Sequence, residues 1–336
     1  MKSYWKKKNV LVTGAAGHLG NTLVRKLLAL KKNVRCLVLP DEKNIPDGDL
    51  EICYGDVRDK ESLATLFDNP QDKALIVIHC AGIVSIATKY QQQVHDVNVG
   101  GTKNIVALCQ QHKVKKLVYV SSVHAIPEKA KGETIIEVSV FNPDDVIGLY
   151  AKTKAEATNF VLLAAKSGLN ASVVHPSGIV GPFDHGKSHV TTLIIDYCKG
   201  RLTSGVNGGY DFVDVRDVAD GIIACYEKGE SGECYILSNK RFSIKEFLFM
   251  LHEVTGKKEI KRFLPLWFVK LTAVLAEAYY KILRQPPLFT AYSIYTLNTN
   301  ALFSHEKATS KLGYTTRDMR QTLKDTIDWL QENHRI

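Results

Sequence analysis

The sequence lacks the cysteine patterns that mark disulfide frameworks and zinc sites. Its 336 residues hold seven cysteines, an odd number, and none of them forms a Cys-x-x-Cys pair. The basic N-terminus runs straight into the first apolar segment and has no apolar core like that of a secretory signal. Asp184, His185 and His189 lie across a Gly-Lys-Ser loop, which is not the spacing of a metal site. These absences predict a cytoplasmic protein with scattered, buried free thiols and no bound metal.

Long uncharged apolar runs, internal repeats and low-complexity tracts are also absent. The most apolar stretch, residues 263–289, carries charges at Lys270, Glu277 and Lys281, which exclude a transmembrane helix. The net charge is +9, but no helix-turn-helix pattern and no interleaving of aromatic with basic residues accompanies it. We therefore expect no nucleic-acid partner. An excess of basic residues instead favours solubility and attraction of an anionic cofactor.

Short apolar runs alternate with helical stretches through residue 176. The runs that indicate strands lie near 9–14, 33–39, 50–54, 74–80, 115–121 and 171–176. Such alternation predicts an α/β fold with a Rossmann-type, doubly wound parallel sheet. Beyond Pro176 the strands are shorter and most of the chain reads as helical. We predict a dinucleotide-binding domain over 1–176 and a smaller, mostly helical substrate lobe over 177–336, with some segments returning to the first domain.

Residues 9–20 join an apolar strand, a glycine loop and the start of an amphipathic helix, which is the arrangement that a dinucleotide site requires. Gly14 permits the tight turn and Gly17 lets the backbone approach the pyrophosphate. Gly20 lets the helix pack closely on the strand, and the free N–H groups at the helix N-terminus receive the phosphate charge. An ordinary glycine-rich turn is the alternative, but its flanks favour cofactor binding.

Tyr150 and Lys154 stand four residues apart in a helical stretch, so their side chains stack one turn apart on one face. The nearby ammonium is expected to favour the phenolate and to lower the pKa of Tyr150. A phenol tuned in this way can exchange a proton with a substrate oxygen. The same spacing is also common on solvated helix faces, so the surrounding motifs decide between the two interpretations.

These motifs, together with Ser121 and Ser122, resemble the extended short-chain dehydrogenase/reductases of the NAD-dependent epimerase/dehydratase superfamily. Seven segments occur in family order, over most of the chain: residues 13–20, 55–57, 79–82, 98–102, 118–122, 150–154 and 176–182. In character the chain is most similar to 3β-hydroxysteroid dehydrogenases and dihydroflavonol reductases. Besides Tyr150 and Lys154, the resemblance implies cofactor contacts from Gly14, Ala16, Gly17, His18, Leu19, Gly20, Asp56, Val57, Ala81, Gly82, Asn98, Pro176, Ser177, Gly178 and Val180.

The resemblance also implies a catalytic set of Ser122, Tyr150 and Lys154. Ser122 would hold the substrate oxygen beside Tyr150, whereas Ser121, one residue earlier on a strand, would point to the opposite face. Lys154 would in addition bond the nicotinamide ribose. For Asn98 a purely structural role is the alternative. His124 either lines the substrate pocket or is an ordinary hydrogen-bonded loop residue.

The choice between NAD and NADP is not marked by the usual residues. The position after the second strand at which an acidic residue selects NAD is Val38, and the next one, where related NADP enzymes carry arginine, is Leu39. Arg35 and Lys43 could approach a 2′-phosphate, and Asp41 could reach a ribose. The expectation is NAD(P)(H) with a slight preference for NADP(H). A surface arginine with its stem packed on the sheet is the alternative for Arg35.

Two enzyme classes fit the family resemblance. One is an alcohol/ketone oxidoreductase; the other is a nucleotide-sugar epimerase or dehydratase with tightly held NAD. Sugar enzymes typically carry, where this chain has Tyr210, an arginine that grips the diphosphate. Tyr210 therefore favours the oxidoreductase and a place in the substrate pocket, although Lys187, Arg201 or Arg216 could substitute. A binding protein without turnover is a third possibility, against which the intact Ser122, Tyr150 and Lys154 set argues.

The apolar and aromatic stretch 263–289 has three interpretations: a core helix, a cover for a lipophilic substrate, or a helix lying on a membrane surface. With Tyr210 it predicts an apolar alcohol or ketone as the small-molecule substrate, and the resemblance to 3β-hydroxysteroid dehydrogenases implies that this substrate is bulky. Peripheral membrane contact is left open. The helices near 90–112 and 148–167 would form a dimer surface in this family, and both a monomer and a homodimer remain compatible with the sequence.

Overall fold

The structure, a computed structural model, describes residues 9–69, 74–85, 90–186, 188–267 and 291–336. Its centre is a seven-stranded sheet in the order β10-β6-β5-β4-β1-β2-β3, in which every neighbouring pair is parallel. The strands are β1 Asn9–Thr13, β2 Asn33–Val38, β3 Leu50–Tyr54, β4 Leu75–His79, β5 Lys116–Val120, β6 Ala171–Pro176 and β10 Cys234–Leu237. This confirms the predicted Rossmann-type sheet, and its first six strands lie where the apolar runs placed them.

The inner strands are apolar because both faces of the sheet are covered there, whereas the edge strand β3 buries only Cys53. In β1, Val10 and Val12 belong to one buried cluster and Leu11 to another, as side chains on a strand alternate between faces. The helices of this part are α1 His18–Ala29, α2 Ala64–Phe67, α3 Gln92–His95, α4 Thr102–Gln111, α5 Leu149–Lys166, α7 Val215–Lys228 and α10 Glu306–Leu312. A π-helical segment, Asp96–Gly101, separates α3 from α4, and short 3₁₀ turns occupy Glu61–Leu63, Val123–Ala125 and Pro143–Asp145.

The remaining elements include two smaller sheets. A three-stranded sheet, β11-β9-β7, consists of β7 Gly178–Val180, β9 Gly209–Asp214 and β11 Lys240–Ser243. Gly205–Val206 (β8) pairs with Phe263–Leu264 (β12), and the helices are α6 His189–Cys198, α8 Ile244–Thr255, α9 Ala291–Asn298 and α11 Met319–Glu332. Residues 268–290, most of the apolar stretch singled out above, lie outside the described residues. Within those that are described, no helix is long and apolar enough to cross a membrane.

Residues beyond 176 contribute to both parts of the molecule. Strand β10 pairs with β6 at the edge of the large sheet, and α7 packs against α1 and against β5 and β6. The two-domain division at residue 176 remains a prediction. What positions the site is the large sheet: Thr13 pairs with His79, and His79 with Tyr119, so β1, β4 and β5 end at one edge. Strand order reverses between β1 and β4, and ligands bind outside such a reversal in open α/β sheets.

Candidate active site

The glycine loop follows β1, and α1 begins at His18 with Gly17 as its N-cap. Gly14 has a φ of +68°, and a Cβ there would stand 2.8 Å from backbone atoms of Ala81. A Cβ on Gly20 would stand 2.0 Å from the Gly14 carbonyl oxygen, so the helix could not pack this closely. Gly17 differs, because its Cβ would meet only that same oxygen at 3.3 Å. The protein's own packing thus requires two of the glycines and leaves Gly17 facing a space suited to a phosphate.

His79, at the end of β4, links the end of β1 to the start of α4 by hydrogen bonds. Its position in the sequence did not reveal this role. Its Nδ1 lies 2.7 Å from the Thr13 hydroxyl and its Nε2 lies 3.0 Å from the Thr102 hydroxyl. The Thr13 hydroxyl also accepts a hydrogen bond from the Ala81 N–H at 3.1 Å. Burial and the charge of Lys154 lower the pKa of His79 to about 3, so the imidazole is neutral and serves as a fixed hydrogen-bonding link.

Ser122 and Tyr150 meet at the carboxyl end of β5. Both side chains are buried, and the Ser122 hydroxyl is close enough to the Tyr150 phenol to act on its pKa. The Ser121 hydroxyl instead lies 2.7 Å from the Thr158 hydroxyl, within α5. Ser122 is therefore the serine whose hydroxyl shares a site with the phenol.

The expected lowering of the Tyr150 pKa is wrong. Burial raises the pKa of Tyr150 to about 12, and the nearby Ser122 hydroxyl offsets only part of that rise. The reason lies in the direction of the Lys154 side chain. Its Nζ donates to the Val120 carbonyl oxygen at 2.8 Å and to the Tyr119 hydroxyl at 3.4 Å, not to Tyr150. Burial lowers the pKa of Lys154 to about 8, so the side chain is still mainly an ammonium at neutral pH.

Asn98 lies in the π-helical segment and joins α5 to the chain that follows β4. Its Nδ2 donates to the Ile83 carbonyl oxygen and to the Thr153 hydroxyl, each at 3.0 Å, and its Oδ1 accepts from the Ile83 N–H at 2.8 Å. A Cβ on Gly82 would stand 3.2 Å from Asn98 Oδ1 and 3.4 Å from Lys154 Nζ. Asn98 thus holds the backbone beside Lys154, in line with the structural role named as its alternative.

His124 and Tyr210 form an aromatic wall next to Tyr150. The Tyr210 hydroxyl lies 2.9 Å from His124 Nε2, and the two rings stack with centroids 5.6 Å apart. The His124 ring stands edge-on to the Tyr150 ring, with centroids 5.9 Å apart. The rings of Phe212 and Phe303 pack on Tyr210, with centroid separations of 6.0 and 6.4 Å respectively. Burial lowers the pKa of His124 to about 4, so this wall is uncharged at neutral pH.

His175, near the end of β6, is a further residue that the sequence did not single out. Its Nδ1 lies 2.9 Å from the Ser122 carbonyl oxygen, and its ring stacks on Phe141 at 5.1 Å. Burial lowers the pKa of His175 to about 4, so the ring is neutral and Nδ1 donates the hydrogen bond to the carbonyl. The contact fixes the backbone of Ser122, and only the pairing of β5 with β6 brings the two residues together.

Arg35, which is expected near the adenosine half of the cofactor, is held by hydrogen bonds within the protein. Its Nε donates to Glu51 at 2.8 Å, and one terminal nitrogen donates to three carbonyl oxygens in residues 65–68. These contacts favour the structural alternative over the expected approach to a 2′-phosphate. Asp41 and Lys43 are exposed. Asp56 accepts hydrogen bonds from Arg58, which lower its pKa, and it stands beside the buried Val57.

Among the described residues, no three His, Cys, Asp or Glu side chains come together as a metal site. Residues 176–180 line the same edge of the sheet as Ser122. A Cβ on Gly178 would stand 2.8 Å from the Asp211 carbonyl oxygen and 3.0 Å from the Tyr210 ring, so this loop packs directly on β9. The glycine loop, Ser122, Tyr150, Lys154 and this segment therefore lie together at the carboxyl edge of the large sheet, where open α/β sheets bind their ligands.

The family model described as NAD dependent epimerase/dehydratase matches residues 10–238. Sterol demethylase protein B of Methylococcus capsulatus is 32% identical over 97% of this chain and 99% of its own length. A putative dihydroflavonol 4-reductase of Synechocystis sp. is 29% identical over 96% of this chain and 94% of its own. Among solved structures, the crystal structure of gox2253 matches with a TM-score of 0.84 and 29% identity, over 97% of this chain and 99% of that one.

Proposed function

The chain belongs to the NAD-dependent epimerase/dehydratase family, and from that premise we propose that it is an NAD(P)-dependent oxidoreductase acting on an apolar substrate. The reaction proposed is the interconversion of a secondary alcohol and a ketone. Members of this extended short-chain dehydrogenase/reductase family are enzymes, so catalysis follows from membership; the substrate class and the residue roles are our proposal.

The bound nicotinamide would supply or accept the hydride. Ser122 would hold the substrate oxygen, and Tyr150 would give its proton to that oxygen as a ketone is reduced. A phenol whose pKa burial raises to about 12 is protonated at neutral pH and thus ready as an acid. In the oxidising direction the phenolate is needed. An ammonium within about 4–6 Å of the phenol favours the phenolate. Lys154, one turn away on α5, would provide that ammonium if its side chain turned from the Val120 carbonyl oxygen toward Tyr150.

The observation that carries the substrate class is the hydrogen bond between Tyr210 and His124, 2.9 Å long and beside Tyr150. Tyr210 occupies the position at which sugar enzymes of this family typically carry an arginine, and its partner His124 is uncharged at neutral pH. Burying a diphosphate there without a cation would be costly. An uncharged, largely apolar molecule meets no such penalty, and pockets for such ligands are mostly apolar with a few polar groups that set orientation.

Of the three cations that could replace the diphosphate-binding arginine, one is held in ion pairs and another is largely exposed to solvent. Arg216 binds Asp214 and Asp325, each at 2.6 Å. Arg201 is 68% exposed and stands 3.7 Å from Asp196. Lys187 lies outside the described residues. The names of two relatives also support an apolar substrate, since one is called a sterol demethylase protein and the other a putative dihydroflavonol 4-reductase.

The cofactor is proposed to be NAD(P)(H) without strong discrimination. Val38 and Leu39 cannot select between a ribose hydroxyl and a 2′-phosphate, and Arg35 is held by Glu51. Exposed Lys43 is then the cation that supports the slight preference for NADP(H). A cytoplasmic location, a monomer or homodimer, and peripheral membrane contact remain proposals of the sequence.

A substrate screen against the cofactor-loaded protein tests the proposed function. Sterols, dihydroflavonol-type ketones and UDP- or dTDP-sugars would be offered with NAD(P)+ or NAD(P)H, and the nicotinamide absorbance would be followed. We expect a net absorbance change with an apolar alcohol or ketone, and none in Tyr150→Phe. The epimerase alternative wins if a nucleotide sugar is epimerised or dehydrated with no net change in absorbance.

A further inference from the structure

Asp211 is a fully buried carboxylate that the proposed chemistry does not use. It lies in β9 between Tyr210 and Phe212, so its side chain points away from the face on which Tyr210 meets His124. Its Oδ1 accepts a hydrogen bond from the Ser177 hydroxyl at 2.5 Å and another from the Asn239 N–H at 3.0 Å. One carboxylate therefore ties three separate chain segments together.

Ser177 is the partner that connects this carboxylate with the cleft. It lies between β6 and β7, and its own N–H donates to the Leu237 carbonyl oxygen at 3.3 Å. Two residues earlier, His175 holds the Ser122 carbonyl oxygen. On the other side, Gly178 packs against the backbone of Asp211 and the ring of Tyr210. The segment from Pro176 to Gly178 is thus held between the serine of the site and the strand that carries Tyr210.

The burial of Asp211 is otherwise unfavourable. Its second oxygen, Oδ2, is inaccessible and has no hydrogen-bond partner among the described residues. Burial raises the pKa of Asp211 to about 6, while the bonds from Ser177 and Asn239 act in the opposite direction. A half-satisfied buried carboxylate costs stability, and an apolar side chain of similar size would avoid that cost. The contacts that Asp211 makes with Ser177 and Asn239, despite this cost, point to a role in geometry.

We propose that Asp211 is a positioning residue that fixes Pro176–Gly178, through Ser177, where the nicotinamide end of the cofactor binds. The place of the nicotinamide rests on the proposed function. Because the link is a charge-assisted hydrogen bond, it holds the segment in one position before the cofactor arrives. Without the link the segment is free to move, and the cofactor must order it on binding. The affinity for ligands that carry nicotinamide should then fall, whereas the affinity for ligands without it should not.

The test compares a ligand that carries nicotinamide with one that lacks it. Dissociation constants for NADH and for ADP-ribose would be measured by titration for the wild type, Asp211→Asn and Ser177→Ala, with the 2′-phosphorylated pair if the wild type prefers it. We expect NADH affinity to fall roughly tenfold in both variants, the size of one lost charge-assisted bond. ADP-ribose affinity should stay within about twofold, and the double variant should be no weaker than either single one.

Asp217→Asn is the matched control, since Asp217 is also buried but binds Arg317 and does not touch Ser177. It should change both affinities equally or not at all. If ADP-ribose affinity falls as far as NADH affinity in Asp211→Asn, or if neither changes, the positioning role is wrong. Should Asp211→Asn fail to fold, Ser177→Ala decides, because it deletes one hydroxyl. A wild type that binds dinucleotides yet oxidises no alcohol would defeat the proposed reaction and leave this inference standing.

Discussion

Lys154 stands one turn from Tyr150 on α5, yet its ammonium donates to the Val120 carbonyl oxygen at 2.8 Å. The phenol and the amine are therefore neighbours on the helix without being hydrogen-bonded partners. Burial raises the pKa of Tyr150 and lowers that of Lys154. In the proposed reaction, proton transfer in the oxidising direction would require Lys154 to turn, whereas for ketone reduction Tyr150 is already protonated.

Tyr150→Phe should lower turnover by ~10²–10⁴-fold, because a positioned proton donor contributes about that much. Affinity for the dinucleotide should change little, since the phenol hydroxyl is proposed to act on the substrate. Single-turnover rates and cofactor titration measure the two effects separately. Tyr54→Phe is a matched control, as Tyr54 is 57% exposed on β3, and it should leave both unchanged. Full activity in Tyr150→Phe would remove the phenol from the mechanism.

Gly17→Val should yield a folded protein that binds little cofactor. The backbone of Gly17 is extended, with φ −74° and ψ 166°, so a branched residue can adopt it. Its side chain would fill the space left for the pyrophosphate. Gly20→Ala is the contrasting variant, since its Cβ would overlap the Gly14 carbonyl oxygen at 2.0 Å and should lower the melting temperature. Unchanged cofactor affinity in Gly17→Val would show that the phosphate lies elsewhere.

The stability of the cofactor-free protein should depend on pH through Lys154. Burial lowers the pKa of Lys154 to about 8 in the folded state, against 10.5 ordinarily. Between these values the unfolded chain binds more protons, so the free energy of unfolding rises with pH, by up to about 3 kcal/mol. Denaturation at several pH values between 7 and 10 measures it. In Lys154→Met this part of the rise should disappear, and identical pH dependences in the two proteins would contradict the expectation.

Arg35→Met should destabilise the protein without changing the preference between NADPH and NADH. Loss of the carbonyl contacts of one guanidinium is expected to cost about 1–3 kcal/mol, while the ion pair with half-exposed Glu51 adds little. Lys43→Met is the control with the opposite outcome: unchanged stability and weaker NADPH binding. Chemical denaturation and paired cofactor titrations distinguish them. A selective loss of NADPH affinity in Arg35→Met would restore Arg35 as a phosphate ligand.

The sequence predicted the parts of the site that depend on local pattern. Apolar runs located β1 to β6, and glycine spacing located the loop before α1, because both requirements act within a few residues. The roles of His79, His175 and Asp211 were not predicted, because each side chain acts on a residue distant in the sequence. Their partners are Thr13, Ser122 and Ser177 respectively. The pKa of Tyr150 was mispredicted for the same kind of reason: helical spacing gives the positions of two side chains, but not the partner toward which Lys154 turns.

The substrate is expected to be an apolar alcohol or ketone, so UDP- and dTDP-sugars should bind the cofactor-loaded protein more weakly than ~1 mM by isothermal titration. The reason is electrostatic: a diphosphate beside Tyr210 would be desolvated against a neutral tyrosine and a neutral histidine. Tyr210→Phe deletes the hydroxyl that holds His124 and keeps the ring, so it should weaken an apolar ketone by less than about tenfold and leave nucleotide sugars unbound. Tyr210→Arg, the reciprocal change, should improve UDP binding. Micromolar affinity of the wild type for a nucleotide sugar would mean that another cation neutralises the diphosphate, and the oxidoreductase proposal would give way to the epimerase.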